Sequence, residues 1–589
     1  METLLLAEKQ KSLPEWDLSD LIPSHEHHHL AKKFEFIKIK AQKFQTKYKK
    51  QLGKLNPTDL EKAISSYQEI EEELDGLLSY TFLAYAANTR DINIKSTFQN
   101  SQEKANDIKN YLLFFELEMN KMPEKKLLSH LKNNKFSPWL KNLTALRPYQ
   151  LHEELEQLFL DKSAVSHTAW IKLYNDTLND LHIKIDGKTI ELKDALCDTR
   201  SPIEKTRKNA SRAIGQALHK KSETFTTIYN SLIKDKLIED KWRNFKNVDS
   251  SRNVNNFVED EVITALSDSV QEYYSRLSHR FYKFKANQLN KKQLDTWDLS
   301  APWLKEQGYI SWHDAQNIIL EAYHEFSPKM AEIGQKFFDN SWIDAPPKAG
   351  KMSGAFAHPT VPSAHPYLMV NYQGKIQDVM TLAHELGHGI HQYLASPHGH
   401  LMADTTINLA ETASVFGEML TFQALVKKQK KPDLKKQFLA NKIQDMLSTV
   451  SRQISFYLFE KDIHNQRKQG ELSYEKISEH WFIRQKECLG PYVKLEEYYG
   501  SYWCYISHFF EVPFYVYSYA FGDCLVNSLY SLYLSGHKNF EAKYLDLLAA
   551  GGTKRHDELV QPFGLNTKDK KFWEQGLCMI ETFIDELES

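Results

Sequence analysis

The sequence is short of residues that interrupt helices. Among 589 residues there are 22 glycines and 19 prolines, together about 7% where ordinary usage is roughly 12%. This scarcity excludes a collagen-like chain and argues against a β-sandwich or propeller, which need frequent turns. Cysteine is also scarce. Cys197, Cys488, Cys504, Cys524 and Cys578 are odd in number and form no CxxC pair, so neither a disulfide framework nor a thiolate zinc site is indicated. No window approaches 18 apolar residues, which excludes an apolar membrane-spanning helix. The run Leu4-Leu5-Leu6-Ala7 is too short for a signal peptide and lacks a basic start. A soluble, cytoplasmic protein is therefore expected. Nor does one sign of charge dominate: 75 Lys and Arg face 77 Asp and Glu, for a net charge of −2. A polyanion binder would carry a clear basic excess, so no nucleic-acid or membrane partner is expected.

What is present suits a large, mainly α protein. Hydrophobic residues make up 41% and aromatics 12% of the chain, enough for extensive cores. The length suggests three or four folding units, with the main boundary placed near residue 195. Leu30, Phe34, Ile37, Ala41, Phe44 and Tyr48 recur every three or four residues and predict one buried helical face, with lysines on the others. Leu181–Ile190 alternates around Asp186-Gly187 and predicts a short hairpin. Helical patterns cover about 203–288, with a break near 247–256, then 312–338, and most of the chain beyond 375. Between these, Ala345–Gly374 holds eight glycines and prolines; Ser353–Ala357 and Tyr367–Tyr372 are predicted as paired short strands there.

His384-Glu385-Leu386-Gly387-His388 fits HExxH. Histidines at i and i+4 share a helical face and can hold one Zn²⁺, with the intervening Glu placed as general base. The surrounding stretch, 376–395, carries Val379, Met380, Ala383, Leu386 and Ile390 as apolar support for a rigid helix. A second match, His25-Glu26-His27-His28-His29, has polar neighbours and no such stripe; it is read as a surface feature. A catalytic zinc needs a third protein ligand. On a helix predicted to start near Thr405, Glu411 and Glu418 lie seven apart on one face of an apolar segment. A carboxylate there calls for a partner or a metal. Glu411 is taken as the third ligand; Glu418 is either a carboxylate orienting a ligand or an ordinary salt-bridged residue.

His384–His391 (HELGHGIH), followed by Ala410-Glu411-Thr412-Ala413-Ser414, resembles the M3 family of zinc metallopeptidases, and within it the oligoendopeptidase F group. Supporting segments run along most of the chain: Trp16-Asp17-Leu18, Trp297–Pro302 (WDLSAP), Gly350–Phe356 (GKMSGAF), Pro366–Tyr372 (PYLMVNY), Pro513–Tyr519 (PFYVYSY) and Gly551-Gly552. The resemblance implies a zincin-type closed helical bowl with a deep substrate channel, and a small β-hairpin beside the zinc helix. In these terms residues 1–195 are an N-terminal helical domain forming part of the channel wall, and 196–589 the catalytic domain. It further implies one Zn²⁺ per chain on His384, His388 and Glu411, with Glu385 as base. His391 matches a frequent family histidine that is not a ligand, and is read as structural.

The implied activity is endopeptidase cleavage of short unfolded oligopeptides, by a monomer or simple homo-oligomer. A zinc exopeptidase on the same scaffold and an inactive peptide-binding helical protein are the alternatives. By the same resemblance His508 and one or more tyrosines downstream face the substrate. Tyr515 and Tyr519, four apart, share a helical face, whereas Tyr517 points elsewhere. The hairpin edge, with Ser353, Gly354 and Ala355, is the candidate substrate-binding backbone. An extended peptide can add to such an edge as another strand, and Gly354 permits close approach.

Overall fold

In the computed structural model of the protein, residues 13–23, 29–123, 125–127, 134–303 and 309–589 are described. The second HExxH match falls mostly outside them; only its last residue, His29, is described, at the N-cap of helix Leu30–Tyr48. The described chain is mainly helical, with three small sheets. It forms two compact units, each assembled from three separate stretches. One comprises Met1–Arg147, Gln307–Lys428 and Gly536–Gly564; the other comprises Pro148–Glu306, Gln429–Ser535 and Leu565–Ser589. Residue 195 thus lies inside the second unit rather than at a border between the two.

In the first unit the periodic residues of Leu30–Tyr48 do what their spacing dictates. Phe34, Ile37, Ala41, Phe44 and Tyr48 are buried against Leu60, Ile64, Tyr67, Phe114 and Phe115. The lysine-bearing faces are solvated, and Lys40 pairs with Glu73 at 2.6 Å. Helix Pro57–Ala87 begins with proline at a position where a missing N–H costs nothing; the Asn56 side chain caps it by accepting from Asp59 N–H. The 312–338 pattern resolves into two helices, Trp312–Phe326 and Pro328–Asp339, because Ser327 caps the second and Pro328 cannot continue the first.

The glycine- and proline-rich segment contributes to a mixed three-stranded sheet. Tyr367–Met369 is central, parallel to Ile343–Asp344 and antiparallel to Phe356–His358. The expected hairpin is present, but its strands are shorter than predicted. Ser353 and Gly354 form a bend before the edge strand, with Gly354 at φ +87°. The third strand, Ile343–Asp344, was not anticipated. Two anchors fix this sheet. The Tyr367 hydroxyl donates to the Asp17 carbonyl at 2.7 Å, with the Trp16 ring set edge-on to it, which gives the Trp16-Asp17-Leu18 segment a structural role. Lys351, only 1% exposed at its side chain, pairs with Asp344 and donates to the Pro346 and Val370 carbonyls at 3.0 and 2.7 Å. One buried ammonium thereby ties both ends of the loop to the sheet.

The second unit holds the predicted hairpin, Ile183–Ile185 with Lys188–Ile190, turning through Asp186 and Gly187 at φ +48° and +79°. Positive φ at both central residues matches the right-handed twist of the strands. In the Trp297–Pro302 segment, Asp298 is fully buried between the Arg207 guanidinium at 3.1 Å and the Lys291 ammonium at 2.6 Å. Two cations satisfy a carboxylate that burial alone would penalise. Long helices, among them Ser222–Arg243, Ser451–Arg467, Tyr517–Leu534 and Lys570–Glu588, build the rest.

His358 on the edge strand makes the first unit sensitive to acid. Its Nε2 bonds the Ser79 hydroxyl at 3.0 Å, and burial pushes its pKa down to about 4. The unfolded chain, with a His near 6.5, then binds the proton more readily. Stability present above pH 6.5 is therefore lost as pH falls towards 4. In thermal melts between pH 7 and 4.5, His358→Gln should lower Tm less steeply than the parent; parallel curves would refute this account.

Candidate metal and active site

The HExxH segment lies within the helix Ile376–Ala395, which we call the motif helix. Asp378 starts it, its carboxylate accepting from the N–H groups of Gln373 and Lys375 at 2.8 and 2.9 Å. Val379, Leu382, Ala383, Leu386 and Ile390 are buried along it, and the Tyr323 hydroxyl donates to the Ala383 carbonyl at 2.7 Å. Beside it runs the partner helix, Ile407–Lys428, starting two residues beyond the predicted Thr405. The glycine inside the motif allows this pairing. A Cβ on Gly387 would fall 2.5 Å from the Ala413 carbonyl oxygen and 2.6 Å from Ser414 Cα, closer than any side chain tolerates.

That close approach brings Glu411 to the two histidines. Its Oε2 lies 3.3 Å from His384 Nε2 and 3.4 Å from His388 Nε2. One ligand atom from each of the three residues can be chosen with all separations within 4.8 Å. Two imidazole nitrogens and one carboxylate oxygen form a donor set suited to Zn²⁺ with a position left open. Glu418 reaches the same place from the partner helix: its Oε2 accepts from His384 Nδ1 at 3.3 Å. That bond turns His384 Nε2 towards Glu411. Ser414, three residues beyond Glu411 on the same helix, donates its hydroxyl to Glu411 Oε2 at 2.7 Å. Sequence reading passed over Ser414, although an i, i+3 spacing was the available signal.

The charges suit cation binding. Burial alone would raise the Glu411 carboxyl, but the hydrogen bond and charge of His388, with His384 and Ser414, hold it at about 2. Burial opposes protonation of His384, yet the Glu418 hydrogen bond and the Glu411 charge raise it to about 9. Glu385 is 7% exposed; burial raises its pKa against the pull of the two histidines. His391 is buried outside the ligand set, bonding Thr405 Oγ1 at 3.3 Å. Burial and the neighbouring His388 keep it neutral, with a pKa of about 4.

The sheet meets this site through one backbone amide. Leu368 and Val370 donate to the Trp342 and Asp344 carbonyls on the parallel side, so across from Leu368 the edge residue Ala357 turns its N–H outward. There the amide favours the charged form of the Glu385 carboxyl, against the burial that raises it. A cavity of about 460 Å³ lies alongside, with Gly354, Ala355, Asn371, His384, Glu385 and Glu418 among its lining. Asn371 Nδ2 holds the Met352 and Gly354 carbonyls at 3.0 and 2.9 Å, fixing the bend that contains Ser353.

His508, Tyr515 and Tyr519 belong to the second unit and form a cluster of their own. His508 Nε2 lies 3.2 Å from the Tyr519 hydroxyl, and the Tyr515 ring packs 5.8 Å from His508 and 5.3 Å from Tyr519. Burial lowers the His508 pKa. Tyr517 points away from them: it is buried, and its hydroxyl accepts from Asn256 Nδ2 at 2.8 Å.

Similarity to known proteins runs along most of the chain. The model described as Peptidase family M3 matches residues 198–579, and one described as Oligopeptidase F matches residues 118–182. Oligopeptidase PepF of Bacillus subtilis is 25% identical over 590 residues, covering 97% of this chain and 86% of the relative. An oligoendopeptidase F homolog of Borreliella burgdorferi is 26% identical over 588 residues, covering 97% of each chain. Among solved structures, a putative peptidase from Chlamydophila abortus has a TM-score of 0.85 at 21% identity, covering 98% of this chain and 99% of the other. Oligoendopeptidase-F from Enterococcus faecium has a TM-score of 0.73 at 20% identity, covering 95% and 98%. At these identities the structural likeness shows a shared fold.

Glu418→Ala should weaken zinc retention about 10- to 100-fold, the usual effect of losing a carboxylate that orients a metal-bound histidine. Competition against a chromogenic chelator measures it, and an unchanged affinity would remove Glu418 from the site.

Proposed function

The chain belongs to peptidase family M3, and on that premise we propose that it is a zinc-dependent endopeptidase of short, unfolded oligopeptides, acting in the cytoplasm. The observation that carries this is the convergence of His384, His388 and Glu411 with a buried Glu385 at one place. His384, His388 and Glu411 would hold the metal, one ion per chain. When bound, Zn²⁺ lowers the pKa of water and polarises a peptide carbonyl.

The remaining work falls to side chains and backbone. Glu385 takes a proton from the attacking water and returns it to the leaving amine; the Ala357 N–H favours its charged form. The peptide lies extended beside the edge strand. Ala355 lies immediately before the edge strand and lines the cavity, with Ser353 and Gly354 shaping the bend before it. Pairing of this kind uses backbone groups and reads side chains weakly. By the family resemblance, His508 with Tyr515 or Tyr519 is read as donating hydrogen bonds to the substrate. The unpaired state of all five cysteines supports a reducing compartment.

A quenched fluorescent oligopeptide blocked at both termini tests the proposal. Cleavage at an internal bond is expected, lost with a chelator and restored by zinc. Glu385→Gln should retain one zinc and bind peptide while kcat falls about 10²–10⁴-fold. Full activity in that variant, or cleavage only of peptides with a free terminus, would overturn the endopeptidase mechanism.

A further inference from the structure

The segment carrying Tyr515 contains a backbone conformation that its sequence does not favour. Phe514 stands at φ +62°, a left-handed value that is strained for a bulky L-residue and persists only where its surroundings impose it. Phe514 lies between the short helix Ser507–Glu511, which bears His508, and the helix Tyr517–Leu534, which bears Tyr519. The turn through it therefore sets where Tyr515 stands relative to His508.

Three contacts impose that turn. Glu460, on helix Ser451–Arg467, is 0% exposed, and its Oε1 accepts the Phe514 N–H at 2.9 Å. Arg252 Nε donates to the Pro513 carbonyl at 3.1 Å. The Phe514 ring packs against His464, with centroids 4.7 Å apart, and against Tyr457 at 6.2 Å. Pro513 removes a donor and stiffens the approach. An apolar residue at 460 would fill the same space, so a carboxyl buried there calls for a reason. Burial raises its pKa to about 8, so at neutral pH it is mostly the uncharged acid and serves as a hydrogen-bonding group rather than an ion. Among the described residues its other oxygen has no hydrogen-bond partner, nor has either ring nitrogen of His464, one turn along the same helix. The Glu460 carboxyl's hydrogen bond there is to the strained residue.

From this we infer that Glu460 is a positioning residue for catalysis: by holding Phe514 N–H it fixes the turn that places the Tyr515 ring and the Tyr519 hydroxyl beside His508. The inference rests on the reading that this histidine–tyrosine cluster faces the substrate. Glu460 itself touches neither substrate nor metal in this scheme, and the metal ligands lie in the other unit of the chain.

The test compares full-length Glu460→Leu, Glu460→Gln and Arg252→Met with Tyr515→Phe and Tyr519→Phe, using the blocked peptide and measuring kcat, KM, zinc content and Tm. Loss of a donor to a developing oxyanion lowers kcat about 10²–10³-fold, and mispositioning should reproduce part of that. Glu460→Leu is expected to lose about 10- to 100-fold in kcat, with KM within about twofold and one zinc retained. Glu460→Gln keeps an acceptor oxygen for Phe514 and should return kcat to within about threefold. Combining Glu460→Leu with the more damaging tyrosine change should give far less than the product of the two losses, because both act on one group.

Multiplying losses, or a folded Glu460→Leu with parental kcat, would overturn the inference while tyrosine variants that lose activity keep the cluster reading intact. If both tyrosine variants keep full kcat, the cluster reading falls, and this inference with it. Should Glu460→Leu fail to fold, Arg252→Met, which frees the Pro513 carbonyl and removes a positive charge near Glu460, decides. A kcat loss of about three- to tenfold at constant KM supports positioning, and no loss refutes it.

Discussion

The closeness of two helices at Gly387 is the constraint on which the site depends. Two histidines one turn apart on a helix are a common arrangement, and they bind a catalytic metal usefully only when a third donor arrives from another element. Here that donor, Glu411, sits on the partner helix, within reach because backbone meets backbone with no side chain between them. Bringing two helices so close leaves no room for error along their length. The Tyr323 hydroxyl on the Ala383 carbonyl and the Tyr544 hydroxyl on the Thr412 carbonyl, at 2.7 and 2.8 Å, hold the pair from either side. Both phenols are buried, where a hydroxyl needs such a partner.

Electrostatics follow from that geometry. Glu385, Glu411 and Glu418 are gathered around His384, which bonds one of them through each ring nitrogen. Carboxylates crowded in a low-dielectric site repel one another unless positive charge is supplied. Without metal, protonated histidine supplies it; with metal, the cation does. Metal binding and proton release are coupled in any site built this way.

Much of this was legible in the sequence because it is local. The i, i+4 histidines, the glutamate within a further apolar helix, the amphipathic stripe of Leu30–Tyr48 and the turn at Asp186-Gly187 are all written within a few residues of one another. What was not legible is non-local. Ile343–Asp344 is a two-residue strand, too short to show alternation, and it exists only because Tyr367–Met369 lies beside it. The outward N–H of Ala357 carries no side-chain signature at all. Phe514 gives no sign of its positive φ, since that conformation is imposed by Glu460 from 54 positions away. The division into two units, each of three stretches, is not marked by composition because helices dominate both units.

That division also has a consequence in time. A ribosome releases this chain from its N-terminus, yet the first unit draws its last stretch from Gly536–Gly564. Tyr544 and Phe540, in that stretch, pack on Phe416 of the partner helix with ring centroids 4.4 and 6.0 Å apart. The histidines and Glu411 are thus synthesised more than a hundred residues before the rings that brace them. A chain cut short before Gly536 would carry every metal ligand without the aromatic rings that brace the partner helix.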